Sequence, residues 1–410
     1  MHDLTPTRRR MALFTLALGG FAIGVTEFAS MGVLPNIAED LLPGFAENPA
    51  QGISQAGVVI TLYALGVVIG APIITALAAR ASQTTLAFWL LTAFIVGSIA
   101  SALAPTFETL AAARLIAGLP HATFFGASAL LAGKLMGPGN QGKGIAIAMS
   151  GLPIANILGV PVATWIGQTL GWRWAYALVA VLFALTLLLS LKFLPRVPGD
   201  RELSPLGSMA GFKNVRIWIM IALAAIGFGG FFAVYSYIAE VVTRVTMLPA
   251  GAIPWVLSVV GVGMTIGTFY GGWAADRNTP RAILTAFSAL ILSLLTYVSF
   301  ATSPIGLFVT VFIVGFWFSA LTPAVQTRFI RMAREAELMG SAMTHAAFNV
   351  ANALGAWIGG LVIAAGLGYL APGVAGLALA AAGLVLAIVS LAVQRRDRLR
   401  GTDTTGIRLP

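Results

Sequence analysis

The chain has 410 residues, of which 58% are hydrophobic and only 9% charged, with a formal net charge of +10 at pH 7. Soluble domains carry about a quarter charged residues, so water is not the main solvent of this protein. There is no cysteine, which excludes disulfides, thiolate metal sites and cysteine nucleophiles.

Windows of about 20 apolar residues predict twelve transmembrane helices. They lie over roughly 11–34, 56–79, 84–104, 109–134, 144–168, 174–194, 217–240, 252–274, 281–302, 305–328, 338–364 and 371–393. The runs are continuously apolar and do not alternate in polarity, so an all-α membrane protein is expected and not a barrel. The first run is too long for a signal-peptide core and lacks a small-residue cleavage site, so it counts as a span. Pro195 to Arg216, with Pro195, Pro198, Gly199, Pro205 and Gly207, reads as a linker. It divides a six-helix bundle over 11–194 from a second over 217–394, followed by a basic tail over 395–410.

Of the 24 Lys and Arg residues, 21 fall in alternate connections and the two tails, among them Arg8, Arg9, Arg10, Arg80, Arg277, Arg281 and Arg395. This positive-inside bias predicts a multi-pass protein of the plasma membrane with both termini cytoplasmic. It also explains the basic excess by topology, so no nucleic acid partner is expected.

The two halves repeat each other. Ala64 to Arg80 aligns with Gly261 to Arg277 at a spacing of 197, matching Gly66 with Gly263, Gly70 with Gly267 and Arg80 with Arg277. At a spacing of 196, Ala155-Asn156-Ile157-Leu158-Gly159 matches Ala351-Asn352-Ala353-Leu354-Gly355, and Gly144 matches Gly340. Two matches at nearly one offset indicate an internal duplication.

Away from the span ends, four ionisable residues fall inside the spans: Glu27, Arg114, His121 and His345. A charge near the bilayer centre costs at least about 2.5 kcal/mol, so each is a functional candidate. Glu27 comes 16 residues after Met11, a rise of about 24 Å, and so lies past the midplane. Gly20, Gly24, Glu27 and Met31 share one helix stripe, as do Arg114, Gly118, His121 and Phe125. Arg114 is the expected ion-pair partner of Glu27, and the two form a candidate proton-coupling site. His121 either relays protons or sits neutral in a hydrogen bond. A third stripe holds His345, Asn349 and Asn352; His345 and Asn349 are candidate substrate contacts. Asn352 matches Asn156 across the repeat, which favours a helix-packing role for both. Aromatic residues Phe28, Phe124, Phe125, Phe231, Phe232 and Tyr235 complete a candidate substrate cavity with Met31.

Prolines inside spans, Pro72, Pro120, Pro153, Pro161 and Pro323, must have their freed carbonyls satisfied by neighbouring helices. Gly261-Val262-Gly263 with Gly267 imitates a dinucleotide fingerprint, but it lies inside an apolar span and lacks the strand-turn-helix setting. Three histidines and fourteen acids lying mostly in loops provide no catalytic set and no metal-ligand spacing. No enzyme activity, cofactor or metal is expected.

These motifs resemble the major facilitator superfamily, and within it the twelve-helix drug:proton antiporter branch of arabinose-efflux and chloramphenicol-resistance-like permeases. The resemblance rests on GVTEFASMGVLPNIAEDL (24–41) in the first helix, on Arg114 with GLPHATFFG (118–126) in the fourth, and on GVPVATWIGQTLGWRW (159–174) in the fifth. The superfamily's loop pattern G-x-L-A-D-R appears as Gly272-Trp273-Ala274-Ala275-Asp276-Arg277, whereas the first copy has Thr75 and Ala79 at the glycine and aspartate positions and keeps Leu77 and Arg80.

The resemblance implies two pseudo-symmetric six-helix bundles that rock about a central cavity lined by helices 1, 4, 7 and 10. It implies that Gly159 and Pro161 pack helix 5 across the domain interface, and that Asp276 and Arg277 make charge contacts stabilising one state. The expected function is proton-coupled export of drug-like or amphipathic molecules by a monomer in the bilayer. A narrow sugar or nucleoside exporter is the alternative, and a transport-dead receptor or lipid scramblase is less favoured.

Overall fold

A computed structural model describes residues 4–78, 80–137, 141–197, 215–332 and 337–399, and among these every regular element is helical. The membrane helices are α1 (Pro6–Gly32), α2 (Pro49–Leu77), α3 (Gln83–Ala102), α4 (Phe107–Met136), α5 (Gly144–Leu170) and α6 (Trp172–Phe193) in the first half. In the second half, α7 (Ile217–Ser236) is followed by a 51-residue helical run, Ala250–Phe300, then by the helices Pro304–Phe329, Thr344–Ala364 and Ala371–Arg396. That run is two crossings: the backbone leaves helical geometry at Asn278 (φ −159°, ψ 91°), giving α8 (253–277) and α9 (279–300). The last three helices are α10, α11 and α12. The expected linker and basic tail fall largely outside the described residues.

Local chemistry sets the helix ends. Pro6 occupies the first turn of α1 behind the Thr5 cap, where its missing N–H costs nothing. At the start of α4, Thr106 and Thr109 cap each other's backbone N–H groups. The same helix is interrupted at Leu119–Pro120, one helical stretch carrying Arg114 and the next beginning at His121.

Lipid tails are as apolar as leucine, so close van der Waals packing through small residues holds such helices together. Gly66 and Gly70 of α2 press against the carbonyl oxygens of Leu115 and Leu119 on α4. Gly263 and Gly267 of α8 press in the same way against those of Phe312 and Phe316 on α10. The duplicated glycines therefore perform the same packing in each half.

The halves meet at the end away from the termini. One continuous apolar cluster runs from Phe28, Met31, Ile37 and Ile60 into Phe232, Tyr235 and Leu257 of the second half. A separate cluster, holding Phe94, Phe124 and Phe183, stays within the first half.

Candidate functional site

Between the halves lies a cavity of about 190 Å³ lined by α1, α4, α5, α7, α8, α10 and α11. Glu27 and Phe28 stand on its wall with His121, Phe125, Phe232, His345 and Asn349, and the cavity extends past Thr322, Gln326 and Thr344 toward the end of the bundle that holds both termini. At the opposite end the halves are in contact. Gly57 of α2 abuts the Tyr237 hydroxyl, and Gly360 of α11 lies against Ser54.

Glu27 is 5% exposed. Asn352 Nδ2, from the other half, donates to its Oε1 at 3.1 Å. His121 Nε2 lies 4.0 Å from Oε2, and His121 Nδ1 is 3.1 Å from the Tyr63 hydroxyl. The side chains of Tyr63, His121, Glu27 and Asn352 thus form a buried polar line running from α2 through α4 and α1 to α11.

Arg114 departs from expectation. Its Nη1 donates to Thr26 Oγ1 at 3.0 Å and its Nη2 to the Thr26 carbonyl at 2.8 Å. The guanidinium also stacks over the rings of Tyr63 (4.1 Å) and Tyr176 (5.2 Å). No ion pair with Glu27 forms in this state, because Thr26, one residue earlier, turns its hydroxyl and carbonyl to the face that Arg114 occupies.

The aromatic candidates divide. Phe125 stacks on His345 at 4.6 Å with rings 3° from parallel, while Phe124 turns into the first half's core against Phe94. Phe231 is sandwiched between Phe318 (3.9 Å) and Tyr235 (5.1 Å), and Met31 is fully buried. Those three lie behind the wall. Tyr235 is also absent from the wall; its ring lies 5.6 Å from that of Phe28, and its hydroxyl donates to Asn156 Oδ1 at 3.3 Å.

Asn156 and Asn352 therefore do more than pack their own helices: each exchanges a hydrogen bond with a residue of the opposite half. The repeat match identified the pair, but the partners lie on other helices and leave no trace in the spacing.

The fifth-helix motif also works differently from expectation. Gly159 packs on Phe21 and Val25 of α1, within its own half. The close approach across the interface comes from Gly261 of α8, which lies on the backbone of Asn156 and Ile157. Pro161 has no N–H to offer the carbonyl four residues back, and that carbonyl, of Ile157, accepts instead from Ser258 Oγ on α8 at 3.2 Å. The helix widens into a π turn over Ala155–Gly159 at the same place. Proline thus supplies the acceptor and glycine the clearance, on opposite sides of the seam.

Of the loop residues, Arg277 stacks over Trp273 at 3.8 Å. Asp276 and Arg80 are exposed, and a side chain at Gly272 would meet open space. Asp276 and Arg277 form no ion pair among the described residues.

The sequence profile of the Major Facilitator Superfamily matches residues 16–247. The inner membrane transport protein YdhP of Escherichia coli (strain K12) is 34% identical over 87% of this chain and 90% of its own length. The chloramphenicol resistance protein of Streptomyces lividans is 28% identical over 88% of this chain and 90% of its own length. In three dimensions the fold is similar to the crystal structure of a D-xylose–proton symporter, with a TM-score of 0.74 at 14% identity, covering 93% of this chain and 96% of that one. The chain belongs to the Major Facilitator Superfamily and is a membrane transporter with that superfamily's fold.

Proposed function

We propose that this transporter exports small organic molecules in exchange for protons, with Glu27 carrying the coupling proton. The observation that supports this reading is the bond from Asn352 to Glu27, because it joins the two halves through a buried, titratable acceptor.

An ionised carboxylate makes the stronger, charge-assisted bond, so empty Glu27 holds the far end shut. A proton on Glu27 removes that charge, and a donor group on the cargo competes for the same oxygen. Either one releases the bond and frees the halves to rock. A carrier that is locked when empty and free when it holds proton or cargo is an antiporter. One charge crossing gains about 2.3 kcal/mol per 100 mV, and tenfold accumulation needs only about 1.4 kcal/mol.

With the termini read as cytoplasmic from their basic flanks, this arrangement, closed at the far end, is the inward-facing one. The cavity's roughly 190 Å³ falls below the 300–1,000 Å³ of drug-sized sites. That size, with Thr322, Gln326 and Asn349 on the wall, favours compact cargo and keeps a single-metabolite exporter, for a sugar or nucleoside, as the second reading.

Proteoliposome efflux under an imposed pH gradient, screened across drugs, sugars and nucleosides, tests both. Gradient-driven accumulation of several amphipathic compounds supports drug export, whereas one tight ligand supports the metabolite reading. Transport indifferent to the gradient contradicts proton coupling.

A further inference from the structure

A second hollow, of about 250 Å³, lies outside the transport cavity, at the corner where α8 turns into α9 and both lean on α10. Tyr270, Trp273 and Trp317 wall it on one side, and Arg277 and Arg281 stand at its mouth. The Tyr270 ring lies 5.6 Å from Trp273 and 5.7 Å from Trp317, and Trp273 is 52% exposed.

From Ile253 to Arg277 the helix rises about 36 Å, more than the ~30 Å hydrocarbon core, so the arginines reach headgroup depth while the rings below them remain against acyl chains. That is the level at which tryptophan and tyrosine anchor a protein. Arg277 spends its guanidinium on the Trp273 face, which leaves its N–H edge open. Neither arginine has a carboxylate within 4 Å among the described residues, and Asp276, exposed next door, is not part of the lining.

The repeat supplies a control. At the spacing of 197, Tyr270, Trp273, Arg277 and Arg281 correspond to Ile73, Ala76, Arg80 and Thr84. The first half thus keeps one arginine and neither ring nor second cation, so a general need for basic residues on this side does not account for the cluster.

We propose that this corner is a binding site for an anionic phospholipid of the leaflet on the termini's side, with its phosphate held between Arg277 and Arg281 and its glycerol and first acyl carbons laid along Trp273 and Tyr270. Two guanidiniums suit a phosphate because each offers paired N–H donors, and basic pockets between membrane helices hold such headgroups. The site is independent of the transport reading.

Native mass spectrometry of the full chain in detergent, titrated with phosphatidylglycerol, with phosphatidylcholine of the same chains, and with inorganic phosphate, provides the test. The expected result is one phosphatidylglycerol retained at concentrations where phosphatidylcholine is not, a loss of at least tenfold in R277Q/R281Q, and retention in R277K/R281K. Should the double variant fail to fold, Arg281→Gln alone, exposed and making no side-chain bond among the described residues, is expected to lose about threefold. Equal retention of both lipids, equal phosphatidylglycerol binding in wild type and Gln variants, or inorganic phosphate binding as tightly as the lipid would each overturn the proposal.

Discussion

In the first half, Gly66 and Gly70 of α2 meet the carbonyls of Leu115 and Leu119; in the second, Gly263 and Gly267 of α8 meet those of Phe312 and Phe316. Packing has been kept in both copies, whereas chemistry has not. Glu27, Arg114 and His121 all belong to the first half, while the second answers with Phe228, Phe231, Phe232, Phe318 and Phe348, stacked edge and face on one another. The duplication thus fixes the scaffold, while the buried polar groups differ between the copies: Glu27 and His121 of the first half face Asn352 and His345 of the second.

Breaking the shared part has the largest expected effect. A methyl group at Gly70 or Gly267 would fall inside the van der Waals radius of a rigid backbone carbonyl, so Gly70→Ala and Gly267→Ala should each cost about 1–3 kcal/mol and lower the melting temperature in detergent. Gly272→Ala, which faces open space, should leave it unchanged. If all three melt alike, glycine packing does not hold the helices of each half together.

The unshared part is sharpened by Asn352→Leu. Bonds to a charged group contribute roughly 1.5–3 kcal/mol, so losing this one should unlock the empty carrier by about tenfold or more. Gradient-driven accumulation is expected to fall while downhill efflux persists. Undiminished accumulation would remove Asn352 from the coupling.

A smaller effect is expected at the far end. Trp172 Nε1 donates to Asp40 Oδ2 at 3.0 Å, and Arg173 pairs with the same oxygen. The Arg173 hydrogen bond, first, and the Trp172 bond hold the Asp40 carboxyl below its usual range. A depressed carboxylate stabilises the fold at pH above its unfolded value, about 3.9, and loses that contribution as pH falls through the folded value. The pair is about half exposed, so solvent screens it to under about 1 kcal/mol. Asp40→Asn should therefore lower the melting temperature slightly at pH 7, and the difference from wild type should vanish in acid. A difference that grows on acidification would contradict this.

Much of this could be read from the sequence. The twelve spans, the duplication, and Glu27 and His121 on facing stripes follow from apolar length and from the rarity of charge in lipid. The α8–α9 boundary, expected between 274 and 281, falls at Asn278, which interrupts the helical run without a loop. The cavity's wall was only half legible. Phe124 and Phe125 are neighbours in a uniformly apolar run, and nothing in their types says which faces Phe94 and which faces His345. In a bilayer both lipid and bundle accept apolar side chains, so the periodicity that marks a soluble helix's buried face is lost. Arg114's choice of Thr26 and Asn352's reach to Glu27 are tertiary, fixed by how helices cross.

The most direct measurement compares wild type with Glu27→Gln in proteoliposomes, following accumulation under a pH gradient and exchange without one. Loss of gradient-driven accumulation with exchange of cargo across the membrane retained is the predicted result, since a permanently neutral side chain cannot take up and release a proton. Accumulation as strong as wild type would contradict the account.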